Sequence, residues 1–129
     1  MVELDTLRGG ASHDLSNPAA AKSVIDRISA GEFDVVITTP PCNTHSRVRH
    51  SNKRGPPPLR DRRHPRVLPN LGAPHAAECE TANALVDLSW DMVYTAVNVQ
   101  HRETWRRTRV LLEHPEDLGE AHLGCPAST

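Results

Sequence analysis

Aromatic residues and cysteines are both scarce in this chain of 129 residues. Phe, Trp and Tyr make up 3% of it, so any hydrophobic core has to be built from aliphatic side chains. The three cysteines are an odd number at wide spacing without a Cys-x-x-Cys pair, which argues against a disulfide framework and indicates reduced thiols. The eight histidines are irregularly placed, so no metal site is predicted.

Long apolar runs are also missing. No stretch approaches the roughly 18 residues of a membrane-spanning helix, and no charged-then-apolar leader begins the chain. We therefore expect a soluble intracellular protein of the cytoplasm or nucleus, with no membrane partner. The length suits one domain with a modest core, and we expect this single domain, 1–129, to be a fragment of something longer.

The formal net charge of -1 conceals a basic segment. Between Asn43 and Glu78 the acids are only Asp61 and Glu78, and Gly55 is followed by three prolines. Such a composition buries too little apolar surface to fold by itself, so segment 43–78 is predicted to be a long surface loop, either functional or disordered. Its basic residues are candidates for binding nucleic-acid phosphates: Arg47, Arg49, Lys53, Arg54, Arg60, Arg62, Arg63 and Arg66.

The rest of the chain alternates between strand-like and helix-like patterns. Asn17 followed by Pro18 predicts a helix start, and Gly31 predicts its end. The predicted elements, in order, are a weak strand at Val2–Leu7, a short extended piece at His13–Ser16, a helix at Ala19–Ala30, a strand from Phe33, a long helix at Glu80–His101 and a strand at Arg109–Glu113. This order indicates an α/β fold whose strands are mostly parallel and joined by crossover helices.

The strand that begins at Phe33 is followed by the strongest candidate for a functional residue. Its apolar run Val35 to Ile37 is β-branched and continuous, which predicts a strand buried on both faces of a parallel sheet. Pro40 and Pro41 stop the strand because neither has a backbone N–H for the ladder, and Cys42 follows at its carboxyl end. In open α/β sheets ligands bind at that edge, so Cys42 is a candidate nucleophile. The alternative is a cysteine that serves only as a small buried hydrophobe.

The sequence Pro-Cys-Asn-Thr-His-Ser at Pro41 to Ser46 resembles the catalytic loop of DNA cytosine-5 methyltransferases, Pro-Cys-Gln-x-Phe-Ser. The resemblance implies that Cys42 is the nucleophile and Ser46 the terminal serine of the loop. The family's next motif, Glu-Asn-Val, falls at Glu113-His114-Pro115, where the glutamate alone is retained. A thiolate that adds to carbon 6 of cytosine makes carbon 5 nucleophilic, and a glutamic acid at N3 stabilises the developing charge. Without the resemblance, Glu113 could equally cap a helix or pair with an arginine.

The resemblance also implies a fold, a cofactor and a partner. The fold would be part of a Rossmann-like methyltransferase sheet carrying a long basic Pro/Arg-rich loop. The methyl donor would be S-adenosylmethionine, and nucleic acid, DNA rather than RNA, would be bound beside the site with the target base flipped out. Residues assigned to the cofactor by the resemblance are Glu3, Asp5, Asp14 and Pro41. Amino-methyltransferases are disfavoured because Thr39-Pro40-Pro41-Cys42 has threonine first and cysteine in the place of their aromatic residue.

Several features of the family are missing from the sequence, among them the cofactor-binding turn. The glycine-rich turn Phe-x-Gly-x-Gly that cradles the cofactor does not occur, and Gly9-Gly10 follows Arg8 without the required strand and helix. We therefore expect a methyltransferase-like fragment with Cys42 and Glu113 as the catalytic pair and with little or no activity alone. A competing hypothesis is a non-enzymatic nucleic-acid-binding module of a mobile element, in which the arginine-rich loop does the binding. A third is a translated fragment without a selected function.

Overall fold

The computed structural model describes residues 1–46, 49, 56–102 and 108–114. It consists of helix α1 (Thr6–Gly9), a 3-10 turn (Gly10–His13), helix α2 (Pro18–Ser29), strand β1 (Val35–Thr38), helix α3 (Ala73–Arg102) and strand β2 (Arg109–Leu112). The chain divides into two compact units. Of the described residues, the first unit comprises 1–39, 84–102 and 108–113, and the second comprises those between 40 and 83 together with His114.

Helix α2 has the predicted start and end signals. The Asn17 side chain accepts a hydrogen bond from the Ala19 backbone N–H at 2.9 Å, and Pro18 occupies the first turn. At the other end Gly31 has a φ of 71°, which an L side chain rarely adopts. The N–H groups of Gly31 and Glu32 return to the carbonyls of Ile28 and Arg27, so the last turn closes as a Schellman motif.

Strands β1 and β2 form a two-stranded parallel sheet in which Val35 pairs with Arg109 and Thr38 with Leu112. Helix α3 lies between them in the sequence and is part of the long crossover connection that neighbouring parallel strands need. The α/β class and the parallel pairing are therefore confirmed.

The core of the first unit lies on one face of this sheet. Ile28 of α2, Val36 of β1, and Met92 and Ala96 of α3 are buried together. Leu15, Val24, Ile25, Phe33, Leu88 and Val110 pack around them. Phe33 is the single aromatic residue in this cluster, as the composition predicted for an aliphatic core.

Three expectations about the elements are wrong. The N-terminal strand at Val2–Leu7 is replaced by α1, because the Asp5 side chain caps a helical turn by accepting from the Leu7 N–H at 2.8 Å. The extended piece at His13–Ser16 is replaced by the end of the 3-10 turn and a hydrogen-bonded turn after it, closed by the Asn17 N–H and the Asp14 carbonyl. Strand β1 is not buried on both faces: Val35 is 52% and Ile37 is 62% exposed, since in the described residues only one face of the sheet is packed.

Helix α3 begins at Ala73, before the predicted Glu80, and ends at Arg102. Its existence and its buried positions Ser89, Met92 and Ala96 agree with the apolar periodicity. No helix in the described ranges has the length and apolar character needed to cross a membrane.

Candidate functional site

The segment after β1 leaves the sheet at Pro40 and Pro41 and turns at once. The backbone N–H of His45 donates to the Cys42 carbonyl at 2.9 Å, which closes a tight turn over residues 42–45. Cys42 is exposed at the start of this turn and carries a free thiol. We call residues 42–46 the cysteine loop.

Asn43 is held by an ion pair. Its side-chain amide donates to a carboxylate oxygen of Glu78 at 3.1 Å, and its carbonyl accepts from Arg49 Nε at 2.7 Å. Arg49 Nη2 donates to the same Glu78 oxygen at 2.8 Å, and the Arg49 side chain is only 10% exposed. The second Glu78 oxygen lies 3.6 Å from His75 Nδ1. Glu78 of α3 therefore holds the cysteine loop in two ways. It accepts directly from the Asn43 amide, and it binds Arg49, which in turn donates to the Asn43 carbonyl.

Thr44 is held by a buried arginine. Arg60 is 5% exposed and Thr44 is 2% exposed. Arg60 Nη2 donates to Thr44 Oγ1 at 2.9 Å and to the Cys79 carbonyl at 3.4 Å. Arg60 Nη1 donates to Asn83 Oδ1 at 2.6 Å and to the carbonyls of Pro65 and Arg66 at 3.0 and 2.8 Å.

The Arg60 guanidinium is therefore the centre of the second unit. Burial lowers its pKa from the usual value, but an arginine side chain remains charged at neutral pH. Its charge is met by five neutral acceptors, so burial is tolerated because the donors on Nη1 and Nη2 are satisfied. Leu59 beside it is fully buried, and its carbonyl accepts from the Leu68 N–H at 2.9 Å.

His45 completes the set of anchored residues. Its ring meets that of His114 edge to face, with centroids 4.6 Å apart. Burial, followed by the charges of Arg60 and His114, lowers the pKa of His45 to about 4. The imidazole is therefore neutral at pH 7, so it adds no positive charge to those of Arg49 and Arg60, which already contact the loop. In the described part of the chain, His45 Nε2 and Arg60 Nε are buried without a hydrogen-bond partner.

The basic residues of segment 43–78 fall into three groups. Arg49 and Arg60 make contacts inside the second unit, so the expectation of a surface loop is wrong at Arg60, which is 5% exposed and surrounded by hydrogen-bond acceptors. Arg62, Arg63 and Arg66 are exposed. Arg47, Lys53 and Arg54 lie outside the described residues.

Glu113 and Ser46 were the other predicted catalytic residues. Glu113 belongs to the first unit, where it follows β2, is exposed, and donates its backbone N–H to the Thr38 carbonyl at 3.0 Å. Thr38, at the carboxyl end of β1, is 6% exposed, and its Oγ1 has no partner among the described residues. Ser46 is half-buried, and its carbonyl accepts from the Arg49 N–H at 3.1 Å.

The residues assigned to S-adenosylmethionine do not fit a cofactor site. Glu3 pairs with Arg8 at 2.8 Å, Asp5 caps α1, and Asp14 accepts from both the N–H and the hydroxyl of Ser16. Hydrogen bonds from Ser16 lower the pKa of Asp14, so this carboxylate is committed to a local turn. Gly10 has a φ of 57° but is the first residue of the 3-10 turn that follows α1, and it does not follow a strand. Pro41 is half-buried in the second unit.

Among the described residues, no three His, Cys, Asp or Glu side chains are grouped as a metal site. Cys79 is buried as a free thiol, whereas Cys125 lies outside the described ranges.

Sequence analysis missed the anchoring roles of Arg60, Glu78 and Asn83. One signal was available: Leu59 is the only aliphatic residue between Pro56 and Arg66, and a lone leucine in such a segment can mark a buried position. Nothing in the composition distinguished Arg60 from its arginine neighbours.

Comparisons with known proteins found no matching family model, no matching curated protein and no matching solved structure.

Proposed function

We propose that this chain is the cysteine-bearing part of a DNA (cytosine-5) methyltransferase-like protein, in which Cys42 adds to the target base. One observation carries the proposal: Asn43, Thr44 and His45 are each anchored, while Cys42 at their head is exposed. An exposed thiol on a fixed loop is preorganised for attack, because little conformational freedom remains to be lost when the base is bound.

The proposed step is an addition across a double bond. The Cys42 thiolate attacks carbon 6 of the pyrimidine, a sulfur–carbon bond forms, and the π electron pair of the C5–C6 bond moves to carbon 5. In the covalent adduct a proton from solvent then occupies carbon 5, so the adduct has the combined mass of protein and nucleic acid. Glu113 is proposed as the acid at N3 on the basis of the resemblance and of its position directly after β2.

The proposal includes a Rossmann-like arrangement of the sheet. A β1–α3–β2 crossover with parallel strands supports a Rossmann-like sheet, because this unit is the repeating element of such sheets. S-adenosylmethionine would supply the methyl group in a complete enzyme of this class. Since Glu3, Asp5 and Asp14 are committed to local contacts, we propose addition to the base but expect little or no methyl transfer by this chain alone.

Covalent trapping tests the nucleophile. Single-stranded and duplex oligonucleotides containing pyrimidin-2-one in place of cytosine are suitable, because the missing amino group makes carbon 6 more electrophilic and the adduct needs no methyl donor. Intact mass spectrometry should detect an adduct with the native chain and with Cys125→Ser, and none with Cys42→Ser. Absence of an adduct with both oligonucleotides, or one that persists in Cys42→Ser, would overturn the proposal.

Isothermal titration with S-adenosylmethionine tests the cofactor statement separately. We expect no binding in the micromolar range. Micromolar affinity would contradict the conclusion that the described carboxylates do not form a cofactor site, without affecting the trapping result.

A second candidate function is nucleic-acid binding without chemistry. It is favoured by the exposed side chains of Arg62, Arg63 and Arg66, which follow one another within a short turn after the buried Arg60. Affinity for single-stranded DNA should then fall with increasing salt concentration and should be unchanged in Cys42→Ser. In Arg63→Gln the slope of log affinity against log salt concentration should become shallower by about 0.7. Arg8→Gln, which removes an exposed arginine elsewhere, is the matched control. A slope equal in both variants would rule this function out.

A further inference from the structure

Helix α3 carries an exposed aromatic pair on the side away from the core. Trp90 is 47% and Tyr94 is 66% exposed, although the buried positions Ser89 and Met92 lie beside them in the sequence. The two rings are one helical turn apart, with centroids 6.3 Å apart and planes tilted by 40°. Large aromatic side chains left in solvent at neighbouring positions are a feature of recognition surfaces rather than of monomer surfaces.

The same side of the helix is acidic. Asp87 and Asp91 are exposed one turn apart and flank Trp90 in the sequence. Over the whole of α3 the sequence has four acids and one arginine, Arg102 at its last position, with no lysine. A nucleic-acid phosphate would be repelled by this side, whereas a cation would be attracted.

We infer that this side of α3, formed by Asp87, Trp90, Asp91 and Tyr94, docks an arginine-rich polypeptide segment. Arginine matches both halves of the surface: the planar guanidinium stacks on an aromatic face and also donates paired hydrogen bonds to a carboxylate. Lysine offers a compact charge without the planar group, so it should bind less well. This inference is independent of the function proposed for Cys42.

The test uses the full chain and a fluorescein-labelled peptide of alternating arginine and serine, about twelve residues long. Fluorescence anisotropy should show binding that weakens with salt, and a matched lysine–serine peptide should bind several-fold more weakly. Trp90→Ala should weaken binding at least about five-fold and Asp91→Asn about three-fold. Tyr94→Ala is a second aromatic variant, and circular dichroism checks that each variant keeps its helix.

Asp34→Asn is the matched control, because it removes the same charge from an exposed position outside α3. It should leave the affinity unchanged. The inference is overturned if Asp34→Asn weakens binding as much as Asp91→Asn, if the lysine peptide binds equally well, or if the aromatic variants bind normally.

Ligands other than an arginine-rich peptide on this side of α3 would give different results in binding experiments. A second copy of this chain has exposed arginines at 62, 63 and 66, and salt-sensitive self-association that Trp90→Ala abolishes would support the inference with that segment as the natural ligand. Salt-insensitive dimerisation through Trp90 without peptide binding would contradict it. So would an oligonucleotide that competes with the peptide for the native chain and loses its own affinity in Trp90→Ala.

Discussion

Replacing Arg60 should strongly destabilise the second unit, although the residue lies in a segment whose composition is typical of a loop. Arg60→Met keeps most of the side-chain volume and removes every donor. Two of the five acceptors that it leaves, Thr44 Oγ1 and the Cys79 carbonyl, are in fully buried contacts. The other three contacts are partly buried, so water can replace the lost donors there.

The magnitude follows from those two contacts. A hydrogen bond to a charged group contributes about 1.5–3 kcal/mol, so losing two costs about 3–6 kcal/mol. Removing the charge also recovers part of the desolvation free energy that its burial costs, which offsets some of the loss. We therefore expect about 3 kcal/mol, a large fraction of the 5–15 kcal/mol typical of a folded domain. Arg60→Lys should cost nearly as much, because one ammonium group cannot reproduce the guanidinium fork.

Hydrogen exchange at the Leu68 amide is the suitable assay, because this N–H is bonded to the Leu59 carbonyl within the same unit. A loss of about 3 kcal/mol corresponds to exchange that is about 150-fold faster when local opening is limiting. Arg63→Met, at an exposed arginine nearby, should change the rate by less than about three-fold. Protection at Leu68 that is equal in Arg60→Met and Arg63→Met would refute the view that Arg60 holds the unit together.

Three further predictions concern single residues. His45 has a folded pKa of about 4 against 6.5 when unfolded, so the unfolded chain binds more protons between these values; stability is complete above pH 6.5 and is lost as the pH falls towards 4. Because the ring is only half-buried, we expect the free energy of unfolding measured by urea titration to fall by about 1–2 kcal/mol between pH 6.5 and pH 4. This fall should be absent in His45→Gln and present in His64→Gln. Asn17→Ala should cost about 1 kcal/mol of unfolding free energy through the lost helix cap, whereas Asn17→Ser should restore most of it. Ile28→Ala should cost about 2–5 kcal/mol in denaturant unfolding, since Ile28 is 2% exposed in the aliphatic cluster; a cost below about 1 kcal/mol would contradict that packing.

Local signals determined much of the first unit. Helix α2 follows from Asn17, Pro18 and Gly31, whose effects act within one turn of the chain and need no tertiary partner. The two strands were predictable because β-branched and aliphatic runs ended by Pro40 and Pro115 leave few other conformations. The N-terminal strand was mispredicted because the alternation of Val2 to Leu7 is weaker than the cap that Asp5 supplies.

The sequence by itself also singled out Cys42, since two prolines stop the preceding strand and leave this cysteine as the first residue after them. Only the tertiary structure revealed what anchors the residues that follow it. Thr44, Arg60 and Cys79 come from distant positions, and which arginine of a basic segment is buried depends on which acceptors converge on it. Composition cannot encode that choice, because Arg60 and Arg63 are chemically identical and differ only in the groups that the fold brings to them.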